Sequence, residues 1–86
     1  MIKVYTLYNK TLKQYYSPFC DADTDAVKRS MYDVVNAPND NYIKNAPANY
    51  AVMEIGEFDH KTGKIDTCKP KLVVELADLK EDANGN

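Results

Sequence analysis

The sequence has no tryptophan, one histidine, one arginine, two cysteines and three glycines in 86 residues. Each scarcity removes a class of function. His60 stands alone, and Cys20 and Cys68 belong to no CxxC motif. A metal centre built from about four nitrogen, sulfur or oxygen ligands has too few candidates. Two widely spaced cysteines are not a disulfide framework and read as reduced thiols in a cytosolic protein. With no nucleophile beside it, His60 in Asp59-His60-Lys61-Thr62-Gly63 reads as an exposed turn residue. No GxGxxG, P-loop or HExxH pattern occurs, so no cofactor and no catalytic residues are expected. A single arginine also speaks against sequence-specific base reading, where bidentate arginine is the commonest contact.

Long apolar runs are missing too. None approaches the roughly 18 residues of a membrane span, and the N-terminus has no signal-peptide apolar region. The Asn9-Lys10-Thr11 sequon therefore carries no meaning. What is present is ordinary for a globular domain: 44% hydrophobic and 28% charged residues. The length allows one small core. A single domain over residues 1–79 is expected, with a disordered polar tail over residues 80–86.

Residues 2–8 are rich in β-branched and aromatic types, a strand pattern. Asn9 to Thr11 reads as a turn, and residues 12–19 as the returning strand, closed by Pro18. Apolar residues fall on both sides of the first strand, which predicts that both faces are partly covered. Asp23 or Thr24 is expected to cap a helix, with Asp21, Asp23 and Asp25 at its positive end. Val27, Met31, Val34 and Val35 form one apolar stripe, and Pro38 ends the helix. Residues 36–49 read as a long loop, anchored by Tyr42 and Ile43.

A third strand is expected over residues 50–58, with Gly56 marking a bulge or a close backbone approach. Gly63 suits a positive φ in the following turn. Residues 64–68 form a fourth strand that Lys69-Pro70 breaks. Leu72 to Leu76 then makes a fifth strand or an arm onto a partner. The fold class is therefore α+β: an antiparallel sheet of four to five strands in ββαββ(β) order, with one helix across a face.

The net charge of −2 hides a pattern. Residues 1–20 carry Lys3, Lys10 and Lys13 and no acid. Residues 61–71 carry four lysines against Asp66. The other three segments are acidic and outweigh these two. The first basic segment also holds Tyr5, Tyr8, Tyr15 and Tyr16, four of the seven tyrosines. Lysines that track phosphates, interleaved with rings that stack on bases, are what a sequence-tolerant single-strand binder needs. On this reading Lys3, Lys13, Lys64, Lys69 and Lys71 meet phosphates, while Tyr5, Tyr15 and Tyr16 stack. The competing reading is solvated lysines that protect strand edges.

One further signal lies in the order of short stretches. Val4-Tyr5-Thr6-Leu7-Tyr8-Asn9-Lys10 is followed by Ser17-Pro18-Phe19. Ala26, Met31 and Asp33-Val34-Val35-Asn36 come next, then Asn45-Ala46-Pro47-Ala48-Asn49-Tyr50, Glu54-Ile55-Gly56-Glu57-Phe58-Asp59 and Thr62-Gly63. Over residues 2–65 this set resembles the small non-structural protein of gokushovirus-type microviruses, the single-stranded DNA phages. The family pattern often has Asp at Asn9, His-Pro-Glu-Asp-Tyr across the Asn45 to Tyr50 stretch, and Tyr at Phe58. The resemblance implies a non-enzymatic protein of the bacterial host cytoplasm, outside the capsid shell. It implies a role in single-stranded DNA synthesis or packaging, with single-stranded DNA or the replication or packaging complex as partner. The alternative is a protein-interaction adaptor without DNA contact. A homodimer fits either reading.

Overall fold

The structure, a computed structural model, describes residues 1–81. Its centre is β1 (Ile2–Asn9), which has antiparallel partners on both edges. On one edge lie β2 (Gln14–Tyr15) and β3 (Phe19–Asp21). The expected returning strand thus arrives as two short pieces. Pro18 has no N–H to donate, and the ladder lapses over Tyr16 to Pro18, although the Tyr16 N–H still reaches the Leu7 carbonyl at 2.9 Å. The other edge of β1 pairs with β4 (Tyr50–Asp59), which pairs in turn with β5 (Lys64–Glu75).

In chain order α1 (Thr24–Val35) follows β3 and precedes β4. Asp23 is its N-cap, accepting the Ala26 N–H at 2.9 Å, and this satisfies a donor the first turn leaves free. Val27 and Val35 are fully buried, with Met31 and Val34 packed beside them, so the predicted stripe faces the sheet. Asn36 ends the helix and ties down the end of the described chain. Its side-chain amide donates to the carbonyls of Tyr32 and Leu79, both at 2.9 Å, and its Oδ1 accepts the Glu81 N–H at 2.8 Å. The tail was expected to begin at Lys80; residues 82–86 lie outside the described residues.

The loop over residues 36–49 contains structure of its own. A single helical turn, α2 (Tyr42–Asn45), is capped by Asn41, whose side chain accepts the Lys44 N–H at 2.7 Å. A 3-10 turn, Pro47–Asn49, leads into β4. Ile43 is buried and anchors the loop as expected, whereas Tyr42 is 57% exposed.

The expected break at Lys69-Pro70 is instead a bulge inside one continuous 12-residue strand. Gly56 pairs with Thr67 and Glu54 with Lys71, so Ile55 alone faces Cys68, Lys69 and Pro70. Proline is tolerated because β5 is an edge strand. Ile55 is also the extra residue against β1, where Val4 pairs with Gly56 and Tyr5 with Glu54. A second 3-10 turn, Leu76–Leu79, follows β5 and buries Leu76 completely. The result is the α+β fold read from the sequence: an antiparallel sheet with one main helix packed across a face.

Candidate functional site

Side chains of directly paired residues stand on the same face of a sheet, so the register sorts them. Tyr5, Leu7, Tyr50 and Val52 share the face covered by α1, and with Val27, Val35, Ile43 and Leu76 they form the core. The opposite face is built from four rows. Ile2, Phe58 and Ile65 form one; Cys20, Val4, Gly56 and Thr67 the next; Thr6, Met53 and Leu72 the third; Tyr15, Tyr8, Ala51 and Glu75 the fourth, with Val4, Thr6 and Ala51 buried along the middle. Ile65 is 56% exposed, Leu72 57% and Tyr15 50%. The Tyr8 and Tyr15 rings lie 4.6 Å apart, tilted by 40°. Among the described residues no helix covers this face.

The residues proposed as a DNA site do not converge on it. Tyr5 is a correction: it is completely buried, its ring 6.0 Å from Phe19 and its hydroxyl 3.5 Å from Thr24 Oγ1. No base can stack on it. Imperfect alternation along β1 concealed which face the helix takes. Tyr16 is half-buried and occupied, its hydroxyl accepting from Asn9 Nδ2 at 3.2 Å. It joins Tyr42 and Tyr50 in a cluster with ring centres 5.7 to 6.3 Å apart. Burial pushes the Tyr50 hydroxyl above its usual pKa, and its bond with Tyr16 adds to the rise. Of the three stacking candidates only Tyr15 is well exposed.

The lysines are divided as well. Lys3 Nζ donates to Glu54 at 3.4 Å, and this bond, followed by the charge of Glu54, raises the Lys3 pKa. Lys3, Lys64 and Lys71 pair in register with Glu57, Asp59 and Glu54, which places all three on the helix side of the sheet. Lys69 lies in the bulge and Lys13 in the turn before β2. Among the described residues Lys13, Lys64, Lys69 and Lys71 make no ion pair. The row of Tyr15 and the row of Ile65 stand six residues apart along β1, about 20 Å. Lys64 and Tyr15 therefore mark opposite ends of the sheet.

The uncovered face thus carries chiefly aromatic and aliphatic side chains, and the one charge in its rows is Glu75, paired with Lys10 beside the β1–β2 turn. Composition gave no sign of Ile65 as a surface residue, because it reads as an ordinary strand apolar. Both cysteines are free, and no three His, Cys, Asp or Glu side chains converge as a metal would require among the described residues.

The chain matches the family described as Phage ORF5 protein over residues 2–79. It belongs to that family. This phage protein matches no curated protein and no solved structure. The match runs through β5 and the turn after it, so the strand that carries Leu72 belongs to the family domain.

Proposed function

We propose that this phage protein is a non-enzymatic accessory of single-stranded viral DNA synthesis or packaging, of the gokushovirus type. It acts in the host cytoplasm by docking onto a protein of the replication or packaging complex. The observation that carries the reading is the uncovered sheet face, where Ile65, Leu72 and Tyr15 are exposed in rows whose one charged member, Glu75, is paired with Lys10. A phosphate backbone selects lysine and arginine, whereas an apolar centre rich in aromatics suits a protein partner. A photo-reactive residue at Leu72 should cross-link to phage replication or packaging proteins in infected cells, and one at Ser30 on the helix should not. Equal yields from both positions would defeat the reading.

Direct single-strand contact is the second reading. It is favoured by Tyr15, exposed two residues from Lys13, with Lys64, Lys69 and Lys71 also free of ion pairs among the described residues. Three or four phosphate contacts would give a slope of log affinity against log salt of about −2 to −3. Fluorescence anisotropy with single- and double-stranded DNA across a salt series measures it. Binding lost in Tyr15→Ala and in Lys13→Glu supports this reading; a flat signal at low salt rejects it.

A further inference from the structure

Away from the sheet, the loop after α1 bends back and leaves an open groove of about 460 Å3. Its walls include Val34, Ala37, Tyr42 and Ile43, with the carboxylates of Asp33 and Asp40 at exposed positions. No cationic residue lines it. Its shape is fixed by Asn41, which donates to the Val34 carbonyl at 3.2 Å while capping α2. An apolar floor between two carboxylates suits a short segment that carries one aliphatic side chain beside a cation.

The chain itself displays such a segment. The turn between β1 and β2 runs Lys10-Thr11-Leu12-Lys13, and Leu12 is 60% exposed at its tip. Asn9, buried beneath, accepts the Leu12 N–H at 3.0 Å and holds the tip in place. Lys13 has φ 55°, in the left-handed region that a non-glycine residue enters only at a cost. Lys10 is engaged with Glu75, while Lys13 makes no ion pair among the described residues.

Knob and hole occupy the same end of the molecule. The Lys10 N–H donates to the Asn49 carbonyl at 2.8 Å, and Tyr42 of the groove packs 6.3 Å from Tyr16, three residues beyond the turn. One surface that carries both is self-complementary about a twofold axis, with each copy giving a turn and receiving one. We infer that this chain forms a symmetric dimer in which Leu12 of each protomer enters the groove of its partner and Lys13 meets Asp33 and Asp40. The partner is a second copy because the complementary charge and the exposed leucine are both on this chain. The contact uses none of the open rows of the sheet, so it stands or falls independently of the docking reading, and Leu12→Glu separates it from the DNA reading, which shares Lys13.

Sedimentation equilibrium of the full chain tests it. The wild type should be a dimer at micromolar concentration. Leu12→Glu should be a monomer with an unchanged circular dichroism spectrum. Lys13→Glu and Asp40→Lys should each weaken the dimer about tenfold, and the double charge swap should recover it. A monomeric wild type overturns the inference, as does a Leu12→Glu variant that stays dimeric, or a swap that recovers nothing. A dimer abolished by Leu72→Glu but not by Leu12→Glu overturns it too, since that contact would lie on the sheet face.

Discussion

Gly56 lies directly against the backbone of Asp66: a Cβ at position 56 would stand 2.4 Å from the Asp66 carbonyl oxygen and 3.2 Å from Thr67 Cα. The approach is a product of the bulge. Ile55 spans three residues of β5, and just past it the two strands close up again at the Gly56–Thr67 pair. Only a residue without a side chain fits there.

Gly56→Ala should therefore be among the most damaging small substitutions. The blocking atoms are backbone and cannot rotate away, so the β4–β5 ladder must part. A loss of about 3 kcal/mol is expected, which for a domain this size lowers the melting temperature by roughly 12–24 °C. Gly63 provides the contrast. Its φ is 76°, but its Cβ position is open, so Gly63→Ala should cost only about 1 kcal/mol. Urea unfolding of the pair decides it. Equal costs would show that close approach is not what Gly56 supplies.

Tyr5 separates a core role from a surface role. Tyr5→Ala should cost about 3–5 kcal/mol, because it empties the space between β1 and α1. Tyr5→Phe removes only the long 3.5 Å contact to Thr24 and should cost less than about 1 kcal/mol. Neither change should alter any DNA affinity of the folded protein, whereas Tyr15→Ala should alter affinity with little effect on stability. Anisotropy and thermal melts on the same samples measure both.

The parts of the fold that were legible in the sequence are those set by neighbours along the chain. Asp23 as cap, the Val27–Val35 stripe, Gly63 in its turn and Gly56 at a close approach each follow from local chemistry. What could not be read depends on register. Segment charges count lysines along one dimension, but strand pairing sets Lys3 opposite Glu57 and Lys71 opposite Glu54. Pro70 looked like a terminus because nothing in the sequence says that β5 is an edge. The helical turn at Tyr42 is too short for a periodic signal, although Asn41 three residues before Lys44 is its capping residue.

Asn9 should prove more important to the fold than a polar residue at a strand end usually is. It is 6% exposed and binds on both sides, with Oδ1 accepting the Leu12 N–H and Nδ2 donating to the Tyr16 hydroxyl. Asn9→Ala leaves two partners without their bond in a partly buried setting, at a cost of about 1–3 kcal/mol. Asn9→Asp keeps the bond to Leu12 and loses only the donor, so it should cost less. Amide hydrogen exchange of Leu12 reads the difference directly: fast in the alanine variant and protected in the aspartate one. Equal protection in all three proteins would contradict the account of the turn.

Stability should decline on the alkaline side. Tyr50 is raised above its ordinary value of 10.0 by burial and then by its bond to Tyr16. Tyr32 is raised chiefly by its hydrogen bond to Glu81. Lys3 is raised above 10.5, first by its hydrogen bond to Glu54 and then by the charge of that carboxylate. Each group holds its proton more tightly when folded than when unfolded. Their contribution is thus complete below about pH 10 and is lost as pH rises through the shifted values. Urea midpoints should stay level from these groups through neutral pH and fall above about pH 10. Tyrosinate absorbance should show Tyr50 ionising above the ordinary tyrosine value. Tyr50→Phe removes a titrating group without emptying the core, so its midpoint should fall less steeply than that of the wild type. An identical slope in the two proteins would mean that the buried hydroxyl of Tyr50 plays no part in the alkaline loss.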